Sequence, residues 1–380
     1  MMKVVIASDK FKGSLSSEQV AAAIEEGILA AMPDCEIDKL HVADGGDGTA
    51  ASIVESTGGV WINVKSEDPL GRPVDARFGA VESRTAVIDV ATASGIALLR
   101  PDEYDPLNAT TKGTGILIRE AIDRGFRNFN IGVGGSATND AGTGLLSALG
   151  YRFLDARGNE LEPCGRSLSR IAEIDDSQRM PELKECSFTV MCDVDAAFYG
   201  PKGAAWLFGP QKGATNKILE ALDDGMRTFA AVVKKKYGKS MQNQSYAGAA
   251  GGIGGALWAM LDASLTPGIY AMLKAINFEA RIADADIVVT GEGAMDSLTL
   301  LGKAPYGVCG EAAWNGIPTI AFVGSVSDSD SLNEYGFLSV YPTVSGPMPL
   351  EEAMKPDVAY ANLKRTAMQV FRTLLIRQNN

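Results

Sequence analysis

Short apolar runs alternate with amphipathic segments along most of this 380-residue chain. Apolar runs that end in glycine or a polar side chain predict buried strands, and apolar residues three or four positions apart predict helices. The predicted strands cover residues 3–8, 37–42, 60–64, 76–81, 86–90, 129–131, 188–191, 287–290 and 319–323. Because strands alternate with helices at both ends of the chain, the pattern predicts parallel sheets and an α/β fold.

Two helix starts are marked by their polar residues. Ser16 stands three residues before Gln19, which is the spacing of a capping box, and an apolar helical pattern follows. The threonine-rich stretch 108–115 leads into an amphipathic helix at 116–122. This second stretch is either a ligand loop or simple helix capping, and its composition does not separate the two.

The sequence Gly-Val-Gly-Gly-Ser-Ala-Thr-Asn-Asp at 132–140 lies between a predicted strand and a predicted helix at 141–149. Glycines allow close backbone approach, and the N–H groups at a helix start favour an anion. Ser136, Thr138 and Asn139 add donors, and Asp140 is a candidate metal ligand. The stretch therefore predicts a phosphate-binding turn, with a capped tight turn as the alternative.

Charged residues follow the first two predicted strands, where open α/β sheets bind their ligands. Lys10 and Lys12 follow the first strand, either as phosphate contacts or as a solvated loop. Asp44 and Asp47 follow the second, in Asp-Gly-Gly-Asp-Gly-Thr, and suit magnesium coordination or activation of a hydroxyl. The same stretch weakly matches a dinucleotide fingerprint over residues 46–51, but its carboxylates would repel a pyrophosphate.

Composition narrows the class of ligand. The net charge is −12 and no lysine-arginine stripe occurs, which argues against a nucleic-acid partner but allows a phosphorylated small molecule. No apolar run reaches membrane-spanning length, and the N-terminus is typical of a buried strand rather than a signal peptide. Five scattered cysteines fit a reducing compartment, so we expect a cytoplasmic protein.

The chain contains one histidine, His41. A metal site built from several histidines is therefore impossible, and a Ser-His-Asp triad would have to use this residue. We expect His41 to end a strand and the general base to be a carboxylate or a lysine. No G-x-x-x-x-G-K-[ST] motif occurs, so the P-loop class is not indicated.

Two further stretches are rich in small residues. Related Gly-Pro turns with a lysine occur at 200–204 and 209–214, as contacts to a ligand or as exposed turns. The stretch 248–255 allows close backbone approach, and packing between helices is favoured over ligand binding.

Six motifs in order make the chain similar to the bacterial type-1 glycerate kinases from end to end. They are Asp-Lys-Phe-Lys-Gly-Ser-Leu-Ser at 9–16, Ala-Asp-Gly-Gly-Asp-Gly-Thr at 43–49, Gly-Gly-Ser-Ala-Thr-Asn-Asp at 134–140, Cys-Asp-Val at 192–194, Phe-Gly-Pro-Gln-Lys-Gly-Ala at 208–214 and Thr-Gly-Glu-Gly at 290–293. The resemblance implies ATP-dependent phosphorylation of D-glycerate, with 2-phosphoglycerate as the favoured product. It also implies two α/β domains, a Rossmann-like parallel-sheet domain (1–75 and 280–380) interrupted by a second (76–279), with the active site in the cleft between them.

Under this resemblance the candidate residues take specific roles. Gly134, Gly135, Ser136 and Thr138 would hold polyphosphate, with charge balanced by Lys10, Lys12, Lys212 and Lys303. Asp44, Asp193 and Asp296 with Lys12 are the candidate catalytic residues, and Asp44, Asp47, Asp140 and Asp193 the candidate Mg²⁺ ligands. Asp47, Arg72 and Asn139 are the candidate contacts to the substrate.

Several positions depart from the family pattern. Asp47 stands where glutamate is common, Ala294 where a basic residue is usual, and Leu298 where glutamine is common. Residues 195–197 replace the usual Asn-Pro pair. Two alternatives therefore accompany the kinase hypothesis. They are an NAD(P)-dependent oxidoreductase acting on a small hydroxy acid through residues 46–51, and a non-catalytic relative that only binds ligands.

Overall fold

The computed structural model describes residues 1–43, 46, 48–82, 84–296, 299 and 302–375. Its contacts divide the chain into two compact units, one formed by Met1–Asp44 with Met272–Asn380 and the other by Gly45–Ala271. We call them the outer unit and the inserted unit. Each contains helices and a largely parallel sheet, so the predicted fold class is confirmed.

The strands alternate with helices in the outer unit, whereas β3, β4 and β5 of the inserted unit follow one another directly. The strands are β1 (Lys3–Ser8), β2 (Glu36–His41), β3 (Val60–Glu67), β4 (Pro73–Val81), β5 (Thr85–Asp89), β6 (Asn128–Gly132), β7 (Arg152–Leu154), β8 (Glu173–Asp175), β9 (Ser187–Cys192), β10 (Ser264–Pro267), β11 (Ile287–Met295), β12 (Thr319–Val326) and β13 (Phe337–Pro342). The helices are α1 (Ser17–Ala31), α2 (Thr49–Thr57), α3 (Ala91–Ser94), α4 (Lys112–Asp123), α5 (Thr143–Ala148), α6 (Ala204–Phe208), α7 (Asn216–Tyr237), α8 (Ala249–Leu261), α9 (Gly268–Ala275), α10 (Phe278–Ile282), α11 (Ala304–Trp314), α12 (Ser329–Tyr335), α13 (Leu350–Ala353) and α14 (Pro356–Leu374).

The sheet of the outer unit has the order β13-β12-β11-β1-β2, and all its neighbours are parallel. Apolar residues of α1 and α14 pack on one face, while α11 and α12 contribute to a second cluster on the other. The chain goes from β1 to β2 on one side of the sheet and from β11 through β12 to β13 on the other side. The topological switch point therefore lies between β1 and β11. Loops at the carboxyl ends of such a pair form a ligand-binding crevice in open α/β sheets.

The sheet of the inserted unit has the order β10-β9-β6-β5-β4-β3. The strands β5, β6, β9 and β10 are parallel, and the hairpin β3–β4 continues the sheet in antiparallel pairing. This hairpin explains a difference from the predicted domain boundary, which assigned residues 60–75 to the first domain. Because β3 pairs with β4 along its whole length, these residues belong to the inserted unit, which begins at Gly45 and ends at Ala271.

Local signals in the sequence account for several element boundaries. The capping box at the start of α1 is present, with Ser16 Oγ accepting from the N–H of Gln19 and Gln19 Oε1 accepting from the N–H of Ser16. His41 ends β2, as expected. The helix predicted at 141–149 begins later because Ala141 and Gly142 have left-handed φ angles of 52° and 70°, which a right-handed helix cannot include.

Candidate active site

The glycine turn that follows β6 is fixed by a neighbouring backbone segment. The N–H of Ile96 donates to the carbonyl of Gly135 at 2.9 Å, and the N–H of Ala137 donates to the carbonyl of Ser94 at 2.9 Å. Gly135 itself is exposed and has a φ of 69°, a left-handed value that favours glycine. The turn therefore presents the backbone of Gly135 at the surface of the inserted unit.

Asp140, the last residue of this turn, accepts hydrogen bonds from residues at the N-termini of two helices, α4 and α5. Its carboxylate accepts from the N–H of Thr111 at 2.8 Å, from Thr111 Oγ1 at 2.7 Å, and from the N–H groups of Gly142 and Gly144 at 3.1 Å each. The residue is fully buried, and burial raises its pKa. The structure thus differs from the prediction in two respects: the amides that begin α5 hold this carboxylate instead of a phosphate, and protein donors occupy the oxygens expected to bind a metal.

Lys212 lies beneath the glycine turn. Its side chain is buried, and Nζ donates to Ser136 Oγ at 3.0 Å and to the carbonyl of Thr138 at 2.7 Å. Burial lowers the pKa of this lysine to about 7. Lys212 was predicted to contact the nucleotide, but its ammonium group is directed into the protein. It therefore supports the turn from inside.

The second glycine-rich segment packs against the same turn. A Cβ on Gly251 would lie 2.2 Å from the carbonyl oxygen of Thr138, and the N–H of Ala141 donates to the carbonyl of Gly251 at 3.0 Å. This confirms the interpretation of residues 248–255 as a packing segment. Asn139, a predicted substrate contact, is fully buried and donates from Nδ2 to Met226 Sδ, so its side chain belongs to the interior.

A pocket of about 300 Å³ adjoins the glycine turn at the carboxyl end of β5. Its lining comprises Gly48, Ala51, Trp61, Arg77, Asp89, Ala91, Thr92, Ile96, Ala97 and Gly135. The carboxylate of Asp89 accepts from the N–H of Ala50 in the first turn of α2, at 3.1 and 3.2 Å. The Arg77 guanidinium lies over the Trp61 ring at 4.0 Å and forms no ion pair with any residue that the structure describes. The pocket lining therefore includes both a carboxylate and a cation.

Arg72, predicted to bind the substrate carboxylate, is already paired. Its Nε donates to Asp68 Oδ2 at 2.6 Å, and its Nη1 donates to Glu103 Oε1 at 2.7 Å. These two hydrogen bonds raise the pKa of the guanidinium, and that of Glu103 is lowered in return. Arg72 would have to break both of these ion pairs to bind a substrate carboxylate, whereas Arg77 has no ion pair to break among the described residues.

In the outer unit, the switch point between β1 and β11 gathers several charged residues. Lys10 and Lys12 follow β1 and are exposed. Glu292, near the end of β11, accepts from Thr299 Oγ1 at 2.6 Å and from Lys303 Nζ at 3.3 Å, and burial raises its pKa. Lys303, predicted to bind nucleotide, is therefore paired with a partly buried carboxylate.

Two of the remaining predicted acids lie at strand ends. Asp193 follows β9 and is exposed, and Asp296 follows β11 and is half-buried. Asp44 and Asp47 lie outside the described residues. Within the described part of the chain, no three His, Cys, Asp or Glu side chains are grouped closely enough to hold a metal ion.

A comparison with known protein families identifies the family of this chain. The sequence model of the glycerate kinase family matches residues 4–375. The chain belongs to the glycerate kinase family. The resemblance noted from the six motifs is confirmed, and the alternative of an NAD(P)-dependent oxidoreductase is wrong.

Relatives in this family cover the whole chain. It is 45% identical to a protein named glycerate kinase in Bacillus subtilis (strain 168), over 97% of each chain. It is 40% identical to a protein named glycerate 2-kinase in Escherichia coli (strain K12), over 100% of each. A crystal structure assigned as glycerate kinase 2 from Salmonella typhimurium LT2 shares the fold, with a TM-score of 0.88, 41% identity and full coverage of both chains.

Two acids of this glycerate kinase family member were absent from the sequence-based site. Asp89 ends a buried strand, and a carboxylate at that position is the signal that could have identified it. Glu292 lies in the Thr-Gly-Glu-Gly motif, but the sequence-based site includes only Asp296, which follows that motif.

None of the helices in the described part of the chain combines the length and apolar character needed to cross a membrane.

Proposed function

We propose that this member of the glycerate kinase family transfers the terminal phosphoryl group of ATP to a hydroxyl of D-glycerate, with Mg²⁺, and forms 2-phosphoglycerate. The product assignment follows the name of the Escherichia coli relative. The structural observation that carries the proposal is the pocket beside the glycine turn. It combines exposed backbone at Gly135 with the Asp89 carboxylate and the Arg77 guanidinium.

Polyphosphate binding is assigned to the exposed side of the glycine turn. Of the predicted set, Gly135 is exposed and Gly134 half-buried, Ser136 keeps 8% of its surface exposed, and Thr138 is fully buried. Lys10 and Lys12 are exposed after β1, and their role as phosphate contacts stays a prediction from the sequence. Phosphoryl transfer depends mainly on positioning and charge neutralisation, so backbone N–H groups and lysines are suitable partners for the transferred group.

Recognition of the glycerate carboxylate is assigned to Arg77 in place of Arg72. A guanidinium binds a carboxylate through two parallel hydrogen bonds, and contact with the Trp61 ring holds that of Arg77 in one orientation. Asp89 lines the same pocket and is suited to accept a hydrogen bond from a substrate hydroxyl.

Magnesium would neutralise the phosphate oxygens of ATP, with Asp44, Asp47 and Asp193 as the carboxylate ligands. Asp193 is exposed and fits this role. Asp44 and Asp47 lie outside the described residues, and their role as ligands stays a prediction from the sequence. The proton of the substrate hydroxyl passes to a carboxylate at a strand end, for which Asp44, Asp193 and Asp296 are the candidates. The shared site of the two domains and the cytoplasmic location stay predictions.

Phosphorus NMR tests the proposal directly. Incubation with ATP, Mg²⁺ and D-glycerate should yield the resonance of 2-phosphoglycerate, and omission of Mg²⁺ should abolish it. A resonance of 3-phosphoglycerate would correct the product. Binding of ATP without turnover of any hydroxy acid would favour the non-catalytic alternative.

A further inference from the structure

Two related turns in the chain place their lysines in opposite environments. Lys202, in Gly-Pro-Lys-Gly-Ala, is exposed, whereas Lys212, in Gly-Pro-Gln-Lys-Gly-Ala, is 2% exposed. The backbone of the second turn is closely packed, since a Cβ on Gly213 would lie 2.8 Å from Tyr104. A charged side chain is rarely enclosed in this way unless its hydrogen bonds serve a purpose.

The hydrogen bonds of Lys212 determine how Ser136 can act. An ammonium group only donates, so Lys212 Nζ occupies an acceptor lone pair of Ser136 Oγ at 3.0 Å. The hydroxyl hydrogen of Ser136 must then point to another partner. Ser136 is 8% exposed and directly follows the exposed Gly135, which lines the pocket. The second bond, to the carbonyl of Thr138 at 2.7 Å, holds the ammonium in place.

We propose that Lys212 is a positioning residue that orients the Ser136 hydroxyl as a donor to a phosphate oxygen of the bound nucleotide. This inference rests on the proposed function, because it takes the nucleotide as the ligand of the glycine turn. Lys212 itself does not reach the ligand, and its effect passes through Ser136.

The charge of Lys212 should control this orientation. A neutral amine has a lone pair, so it would accept from Ser136 and turn the hydroxyl hydrogen inward. Asp140 is the charged group whose field favours the ammonium form, while burial opposes it. The other groups facing the lysine are the Ser136 hydroxyl and the Thr138 carbonyl, and Tyr104 lies beside the next residue. Nucleotide affinity should therefore weaken as the pH rises above about 7.

The test compares Lys212→Met, Ser136→Ala, the double variant and the control Lys202→Met. Lys212→Met should raise the KM for ATP and the Kd of a non-hydrolysable ATP analogue by about tenfold to a hundredfold, as for loss of a hydrogen bond to a charged group. The double variant should be no weaker than the weaker single variant. Lys202→Met should match the wild type, and the KM for glycerate should stay within about twofold.

Additive losses in the double variant, or a rise confined to the KM for glycerate, would overturn the proposal. If Lys212→Met does not fold, the pH profile decides: the wild-type Kd should rise between pH 6 and 9, and Ser136→Ala should flatten that rise. An unchanged slope in Ser136→Ala refutes the role of Lys212. Failure of the wild type to phosphorylate glycerate would refute the proposed function alone, because nucleotide affinity is measured separately.

Discussion

Gly132 lies beside the carboxylate of Asp89, so closely that a Cβ on Gly132 would come within 2.4 Å of Asp89 Oδ1. The two residues are register partners at the carboxyl ends of the parallel strands β5 and β6. Because Gly132 has no side chain, the Asp89 carboxylate can occupy this position and line the pocket.

Gly132→Ala should displace this carboxylate while the fold is kept, because the colliding atom belongs to a side chain that can rotate. We expect kcat/KM for glycerate to fall at least about tenfold, corresponding to about 1.4 kcal/mol, with the melting temperature lowered only slightly. Gly346→Ala is the control, since nothing lies within 4 Å of a Cβ there. Normal activity in a folded Gly132→Ala variant would remove Asp89 from the site.

A pair of arginine variants tests recognition of the substrate carboxylate. Arg77→Gln should raise the KM for glycerate by about tenfold or more, the effect of losing a hydrogen bond to a charged group. Arg72→Gln should change it less than about twofold, because Arg72 is paired with Asp68 and Glu103. Steady-state kinetics at saturating ATP measures both. A larger rise in the KM for glycerate in Arg72→Gln than in Arg77→Gln would instead assign the substrate carboxylate to Arg72.

Asp140→Asn tests whether that carboxylate is structural. The asparagine Nδ2 cannot accept, so at least one of the four donors around residue 140 loses its partner. We expect the free energy of unfolding in urea to fall by about 1 to 3 kcal/mol for each donor left unsatisfied. The exposed Asp224→Asn is the control. Recovery of activity at high Mg²⁺ would contradict the structural role and indicate metal binding.

The buried Lys212 predicts a specific dependence of stability on pH. Its pKa is about 7 in the folded protein against an ordinary value of 10.5, so between these values the unfolded chain binds more protons. Stability contributed by this group therefore rises as the pH increases from about 7 to about 10.5. The unfolding free energy of the wild type minus that of Lys212→Met should increase over this range. The corresponding difference for Lys202→Met should stay constant.

Asp193→Asn separates metal binding from proton transfer. Loss of a general base lowers the rate by about a hundredfold or more. If Asp193 is the base, kcat should fall by that factor while Mg²⁺ and nucleotide affinity stay nearly normal. If it is a ligand, part of the loss should return at high Mg²⁺. Near-normal turnover at low Mg²⁺ would exclude Asp193 from both roles.

Periodicity predicted nine of the strands that the structure describes, but not β7, β8, β10 or β13. The motifs predicted the family, because strand-end loops leave local patterns. The same signals could not show where side chains point. Lys212 and Lys202 lie in nearly identical turns, and only tertiary packing buries one of them. Asp140 was a plausible metal ligand until the donors from Thr111, distant in sequence, were placed around it.

The hairpin β3–β4 shows why the domain boundary was predicted too late. The alternation of apolar and polar residues identified both strands. It does not show which strand each one pairs with, because pairing depends on packing in the folded sheet. Arg77 was overlooked for the same reason, since its contact with Trp61 on the paired strand exists only after the hairpin forms.

The position of β1 between β2 and β11 also has a consequence for biosynthesis. While the ribosome is still translating the inserted unit, Val4 has no partner on one side, because Ile287 has not been made. The apolar face of α1 likewise lacks its packing partners until Leu363 and Phe371 of α14 have been made. The inserted unit, whose strands all lie within Gly45–Ala271, can close its sheet first. The segment Met1–Asp44 leaves the ribosome first, but its unit is completed last. A nascent chain arrested when Ala271 has left the ribosome and β11 has not should expose its first strand to proteases while the inserted unit is already protected.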